Sequence, residues 1–395
     1  MFPSSKIPLL VPNLPKAQEL LPWLSKIDLA KQYTNFGPLV QEFEAALCNS
    51  LSTTENAVKV VTVSSGTAAL ELCIAALALP TGGKVLMPAF TFAATANAVD
   101  RNGLVPLFSD VDAKTWILTP EIAYATLKYH PICLVIPVAT FGCPVSVKDW
   151  DAFTLDTGIP VLIDAAAAFG NQAIGCHTHV AFSFHATKPF GIGEGGALAT
   201  SNAELAIQIR KLSNFGFESG IVQRKGTNAK LSEYAAAVGL AQLHRRPVLQ
   251  STRQGLWSVY ESLVKNCPAL SMQTGYGAGQ MPAVLVVKTD YSAQNLLEGL
   301  AQNGIESRRW YCPPLHHHPA FIDCQRCGPL GNAQLPVTEA LGHTTLGLPW
   351  FTDMTLAQCT SVVQSLQSLL ATAASSHNSL LLDAVNTTLA PSTKA

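Results

Sequence analysis

The stretch Ser183-Phe-His-Ala-Thr-Lys188-Pro-Phe-Gly-Ile-Gly-Glu194-Gly-Gly196 sets the reading of the whole chain. Val180-Ala-Phe182 precedes it and Ala197-Leu-Ala199 follows it, so two short strands flank a glycine-rich loop. A single lysine, Lys188, sits between them. An ammonium is strongly hydrated and poorly placed in so apolar a run unless it does chemistry. As a neutral amine it can attack a carbonyl and form an imine. A surface lysine in a loop is the plain alternative, and the surrounding sequence has to decide between them.

Working outward, strands and helices alternate. Val58–Val63 reads as a buried strand, Ser64-Ser-Gly-Thr67 as the turn after it, and Ala68–Leu79 as a helix. Strands follow at Lys84–Met87, Val105–Phe108, Cys133–Val138 and Val161–Ile163. Helices fall at Phe92–Arg101, from Thr119-Pro120, and at Val147–Thr157. This alternation predicts an α/β fold with a mainly parallel sheet covered on both faces. Ligands bind such sheets at the carboxyl ends of the strands. Upstream, a helix is expected near Lys16–Leu29, a turn-rich arm at Tyr33–Pro38 and an amphipathic helix at Leu39–Leu51. Downstream, helices are expected at Asn202–Asn214 and Ser232–His244, and a helical run from Leu249 to Val264 leads into a second domain. There Ala283–Val287 and Ile305–Trp310 read as strands, Ala293–Asn303 and Thr355–Leu370 as helices. The expected organisation is an arm over 1–30, a large cofactor-binding domain over 31–250, a small domain over 251–372 and a flexible tail over 373–395.

Composition narrows the function. Of 395 residues, 48% are hydrophobic and 13% charged, with a net charge of -1. That charged fraction is roughly half the usual value of about 25%. No basic run suggests a nucleic-acid or polybasic membrane surface. No apolar run reaches the length of about 18 residues needed for a span, and Met1-Phe-Pro-Ser-Ser-Lys lacks a signal pattern, so a cytoplasmic protein is expected. Ten scattered cysteines follow no framework spacing and read as free thiols of a reducing compartment. Cys324-Gln-Arg-Cys327 is a lone pair of thiols near His316-His-His318. It lacks the second pair a zinc site wants, and no metal is expected.

Three elements carry chemistry, and each follows a strand. Ser64-Ser65-Gly66-Thr67 opens a helix, where free N–H groups and the helix dipole suit an anion. It lacks the Gly-Lys-Ser/Thr of a Walker loop and the spaced glycines of a dinucleotide loop. Asp164 ends the strand Val161-Leu-Ile-Asp, where a carboxylate is costly unless paired. It could ligate a metal, cap the next turn, or pair with the ring nitrogen of pyridoxal phosphate. Ser183 lies five residues before Lys188, a spacing that can put a hydroxyl on a phosphate and an amine on an aldehyde of one cofactor.

Taken in order, these elements resemble the nucleotide-sugar aminotransferases of the DegT/StrS type, within the fold-type I pyridoxal phosphate enzymes. The likeness runs from about Phe36 to Leu369. It is carried by Phe36-Gly-Pro-Leu with Glu42-Phe-Glu44, Ser64-Ser-Gly-Thr-Ala-Ala-Leu70, Met87-Pro-Ala-Phe-Thr-Phe-Ala-Ala-Thr95, Ile163-Asp-Ala-Ala, the Ser183–Gly196 stretch, Gly226-Thr-Asn-Ala-Lys-Leu-Ser-Glu233 and Tyr311-Cys-Pro-Pro-Leu-His316. The resemblance implies a large domain built on a mostly parallel seven-stranded sheet flanked by helices, with a smaller C-terminal α/β domain. It implies pyridoxal 5'-phosphate as cofactor, with Lys188 as the imine-forming lysine and Asp164 on the ring nitrogen. Gly66, Thr67 and Ser183 would hold the phosphate, and Phe92 would stack on the ring. Asn228 would reach the phosphate of a neighbouring subunit, making a homodimer with shared sites. Tyr311 and His316 would fall near the sugar.

The implied reaction moves an amino group from an amino acid, glutamate first, to a nucleotide-linked keto-sugar, with a dTDP-4-keto-6-deoxyhexose the nearest analogy. A 3-keto sugar nucleotide or a cyclitol ketone is the alternative substrate, and a non-catalytic cofactor-binding regulator the alternative class. Related dehydratases carry histidine where Lys188 stands, so the lysine favours transamination. One departure is Ala167, where the family usually has Gln or Glu beside the cofactor's phenolic oxygen. His185 is a candidate to compensate, although it also fits the family's ordinary motif.

Overall fold

The structure is a computed structural model describing residues 6–388, with side chains over 6–373. Residues 1–5 of the expected arm and 389–395 of the expected tail lie outside the described residues.

In chain order, α1 (Ala17–Ala30) and α2 (Pro38–Leu51) precede β1 (Lys59–Val63) and α3 (Gly66–Leu77). Then come β2 (Lys84–Pro88), α4 (Ala93–Asp100), β3 (Val105–Ser109), α5 (Pro120–Leu127), β4 (Leu134–Val135), α6 (Val147–Thr157) and β5 (Val161–Asp164). The strands β6 (Thr178–Ser183) and β7 (Gly196–Thr200) bracket the lysine loop. They lead to α7 (Ala203–Ser213) and a short hairpin, β8 (Phe217–Glu218) and β9 (Ile221–Val222). After α8 (Glu233–Lys265) follow β10 (Leu270–Met272), β11 (Val286–Thr289), α9 (Ala293–Gln302), β12 (Gln325–Cys327), α10 (Pro336–Thr344), β13 (Thr345–Gly347) and α11 (Leu356–Thr388).

The main sheet has the order β1-β7-β6-β5-β4-β2-β3-β12. Strand β7 runs antiparallel to both its neighbours, and the other five pairings are parallel. Both faces are apolar, as a helix-covered sheet requires. Val60, Leu86, Val161, Ile163, Val180 and Phe182 pack one way, with α2, α6 and α8. Val61, Val85, Met87, Leu162, Ala181 and Leu198 pack the other way, with α3, α4 and α7. Consecutive residues alternate between the two cores because strand side chains alternate in direction.

The sequence predicts seven strands, and the sheet has eight. The extra edge strand is β12, built from the stretch that holds the Cys324/Cys327 pair and paired in parallel with β3. It comes from a part of the chain assigned to the small domain. Strand β4 is shorter than expected because Pro137 has no N–H to give the ladder. The two helices expected on either side of Pro247 are one helix, α8. Its first half buries Ala236, Ala237 and Leu240 in the large core, and its second buries Leu256, Trp257 and Tyr260 in the small one. Burial at both ends outweighs the cost of about 3 kcal/mol for an interior proline. Ile305–Trp310 makes only single bridges, Ile305 with Ile7 and Arg308 with Gly347. The small sheet is β10-β11-β13. The last helix runs on from Leu370 to Thr388, through a stretch with neither glycine nor proline to stop it.

Candidate active site

The carboxyl ends of β1, β2 and β5 and the loop after β6 open onto one cavity of about 470 Å³. Its wall includes Ser65, Gly66, Thr67, Phe92, Asp164, Ala167, Ser183, Lys188 and Tyr311. That volume suits a cofactor together with a small substrate.

Lys188 is held by a folded loop. Ser183 of β6 faces Gly196 of β7, which sets where the loop leaves and returns. Inside it Ala186 N–H donates to Gly193 O at 2.7 Å and Lys188 N–H to His185 O at 2.9 Å. Phe184 and Phe190, on either side of the lysine, are buried against Phe169 with ring centroids 5.4 and 4.7 Å away. Rings anchored this way fix the backbone that carries the amine. The amine itself has no hydrogen-bond or ion-pair partner among the described residues. Burial lowers its pKa below the ordinary lysine value, and the Asp164 charge opposes that only in part. The neutral, nucleophilic form is thereby favoured.

Asp164 is buried at the end of β5. Thr95 Oγ1 donates to its Oδ2 at 2.8 Å, and Ala166 N–H donates to its Oδ1 at 3.1 Å. Burial raises its pKa, while the two donors and Lys188 pull it down. No cation lies within salt-bridge distance of it among the described residues. A buried carboxylate with two donors and no cation suits a protonated ring nitrogen.

The anion end is built by close packing. Ser65 caps α3, its side chain accepting from Ala68 N at 3.0 Å, so Gly66 and Thr67 form the helix's first turn. A Cβ on Gly66 would lie 2.7 Å from Ser183 Cβ, and one on Gly196 2.4 Å from Ser65 C. The turn after β1 therefore rests directly on the ends of β6 and β7, and both glycines are needed for the approach. That contact brings the Ser183 hydroxyl beside the N-terminus of α3. The donor set fits a phosphate.

Phe92 is 64% exposed at the start of α4 and faces the cavity. Tyr311 stacks on Phe141 with centroids 5.0 Å apart, and burial together with Asp164 pushes its hydroxyl pKa up. His185 sits at the wall with Nδ1 2.9 Å from Thr187 Oγ1 and Nε2 3.6 Å from Glu194. Ala167 faces both this cavity and a second one of about 60 Å³. Two expected site residues lie off this chain's own cavity, one of them Asn228, whose expected place is at a neighbouring subunit's phosphate. Asn228 is exposed, just past the β8–β9 hairpin, and does not line the cavity within one chain. His316 is buried off the cavity wall, because the turn Leu315–His317 folds its ring against α10. There Glu339 Oε1 lies 2.6 Å from His316 Nε2 and 2.8 Å from His317 Nε2. These three residues are the one group of possible metal ligands among the described residues, and Glu339 is hydrogen-bonded to both histidines. Cys324 and Cys327 do not join them, and burial pushes both thiols up. Sequence reasoning missed Thr95 as the partner of Asp164 and Arg308 on the wall, since neither has a local signal.

Comparison with known proteins settles the family. The sequence profile of the DegT/DnrJ/EryC1/StrS aminotransferase family matches residues 16–367. The chain belongs to that family. It is 32% identical over 389 residues to Protein Rv3402c of Mycobacterium tuberculosis (strain ATCC 25618 / H37Rv), covering 92% of this chain and 90% of that one. It is 29% identical to the dTDP-4-amino-4,6-dideoxy-D-glucose transaminase of Escherichia coli, covering 88% and 94%. The structure of DesI in the presence of its TDP-sugar product superposes with a TM-score of 0.81 at 29% identity, covering 92% and 93%. The fold is that of the fold-type I aminotransferases, and the chain is a sugar aminotransferase of this family, whose members depend on pyridoxal phosphate.

Proposed function

We propose that this aminotransferase moves an amino group from glutamate to a nucleotide-linked keto-sugar, best matched by a dTDP-4-keto-6-deoxyhexose. The observation that carries the reading is the pairing of an unpartnered Lys188 amine with the cation-free Asp164 carboxylate on one cavity wall. The choice of dTDP and of the 4-keto position rests on likeness to the Escherichia coli transaminase and to DesI.

The side chains divide the work. Gly66 and Thr67 N–H groups and the Ser183 hydroxyl would bind the phosphate of pyridoxal 5'-phosphate, and Phe92 would lie against its ring. Asp164, positioned by Thr95 and Ala166, would keep the ring nitrogen protonated. The bound cofactor supplies an electron sink for the pair left when a proton leaves the donor's α-carbon. Lys188 would hold the cofactor, and its amine, kept toward the neutral form by burial, would take up and give back the donor's α-proton. The keto-sugar would be the second substrate of a ping-pong reaction, with Lys188 moving the proton in the opposite sense. The reading is tested by loading the aminated cofactor form and offering a panel of keto-sugar nucleotides. A dTDP-4-keto-6-deoxyhexose should restore the original absorption band and gain an amino group. Failure of every nucleotide sugar, with a cyclitol ketone accepted, would move the substrate to the alternative class.

The working unit is a homodimer. Phe215, Phe217, Ile221 and Val222 are all exposed on and beside the β8–β9 hairpin, an apolar projection next to Asn228. A second copy covering it would carry Asn228 toward the neighbour's phosphate end. Sedimentation equilibrium should give twice the chain mass, and Val222→Glu should shift it to monomer with loss of turnover. A wild-type monomer that is fully active contradicts the shared site.

A further inference from the structure

His316, His317 and Glu339 form a cluster for which amino transfer has no use. The two histidines are consecutive, yet both Nε2 atoms converge on one carboxylate. His316 Nε2 lies 2.6 Å from Glu339 Oε1, and His317 Nε2 lies 2.8 and 3.0 Å from its two oxygens. The rings lie side by side, with centroids 4.1 Å apart. Other contacts fix the backbones that carry them. Leu315 N–H donates to Ala89 O at 3.1 Å, and His318 N–H to Leu315 O at 2.9 Å, so the turn is tied to the loop after β2. Asp110, just after β3, accepts from Val337 N–H at 3.0 Å and from Thr338 N–H at 2.7 Å, which anchors the first turn of α10. Two elements, each held independently on the main sheet, thus bring three ligand groups to one point.

Two imidazoles and a carboxylate with an open side are the donor set of a three-ligand zinc site, where water takes the fourth position. His316 is 1% exposed and makes the floor of the cluster. The His317 and Glu339 side chains are 44% and 38% exposed and leave an ion a way in. Burial favours the neutral, ligating form of the His316 ring. Its Nδ1 has no partner among the described residues, so moving the ring proton from Nε2 to Nδ1 breaks no bond there. Ligand atoms around a tetrahedral ion with bonds of 2.0–2.1 Å lie about 3.3 Å apart. Each pair here therefore opens by less than about 1 Å, a swing within reach of the exposed Glu339 side chain. Among the charges around His316, Glu339 attracts a cation and Arg326 opposes it more weakly. We propose that His316, His317 and Glu339 bind one divalent ion of the zinc type, which clips the turn following Tyr311 to α10. The site lies off the cofactor cavity, and the assignment does not depend on the aminotransferase reading.

The test is titration of the full, cofactor-loaded chain with zinc, by calorimetry, and with cobalt(II), by absorption, for wild type, His317→Ala and Glu339→Gln. Both substituted side chains are partly exposed, so the variants should fold, and melting curves check this; either variant alone decides. Wild type should take up one ion per chain. Cobalt should give the visible bands of a low-coordinate centre without the near-ultraviolet band of a thiolate ligand. Each substitution should weaken zinc on the order of 100-fold. An ion held by the cofactor would survive both substitutions, and one held by a cysteine would show the thiolate band. Either result, equal affinities in wild type and variants, or no saturable binding by wild type overturns the assignment.

Discussion

Lys188→Ala should abolish amino transfer, lowering the rate by about 10⁴-fold or more, because in the proposed mechanism one amine both holds the cofactor and moves the proton. The fold should survive. The amine makes no hydrogen bond or ion pair among the described residues, and burial works against its charge. The rings that anchor the loop, Phe184 and Phe190, are untouched. The cofactor-free variant should therefore melt no lower than wild type, within about 2 °C. Differential scanning calorimetry and a mass assay for aminated product check the two halves. Transfer near the wild-type rate means that another group does the chemistry. Lost transfer with a melting point many degrees lower means that the lysine is structural.

Asp164→Asn should cost about 10²–10³-fold in kcat, the usual toll for removing a preorganised electrostatic partner in a dry site. Asparagine keeps most of the shape but cannot hold a proton on the ring nitrogen. The variant also has a pH signature without cofactor. Burial raises the Asp164 pKa above its ordinary carboxylate value, despite Thr95 and Ala166. A carboxyl whose folded pKa is raised adds stability below the unfolded value near 4, and that contribution is lost as pH climbs through the folded value. Asparagine has no such term. Wild-type stability relative to Asp164→Asn should fall as pH rises from about 4 to about 7. A relative rise over that window means the carboxylate is stabilised as an anion even without the cofactor, and the reading of an unpaired charge fails.

The frame was legible because apolar periodicity reports burial. Every strand from β1 to β7 has an apolar run behind it, and the glycines of the turn and loop mark where β1 meets β6 and β7. The positions of Asp164, Ser183 and Lys188 followed from that frame, because strand ends and the loops after them face one edge. Contacts remote in sequence could not be read the same way. Thr95 lies 69 residues before the carboxylate it supports. Arg308 reaches the cavity only because the small sheet docks there. Pro247 looked like a helix break because its cost is local, whereas the burial that overrides it belongs to two separate cores. The Cys324/Cys327 stretch resembled half of a metal site, yet its backbone extends the main sheet. His316 sat near the sugar loop in sequence, and a single turn of chain directs its ring to Glu339 instead.

The most direct measurement is chemical. Reduction of the pyridoxal phosphate-loaded protein with borohydride makes the cofactor's bond to its holding amine permanent, and peptide mapping then finds that amine. The expected result is bleaching of the cofactor's absorption band with the whole label on Lys188, and no label in Lys188→Ala. A label on any other lysine, or a loaded protein that borohydride leaves unlabelled, contradicts the central claim.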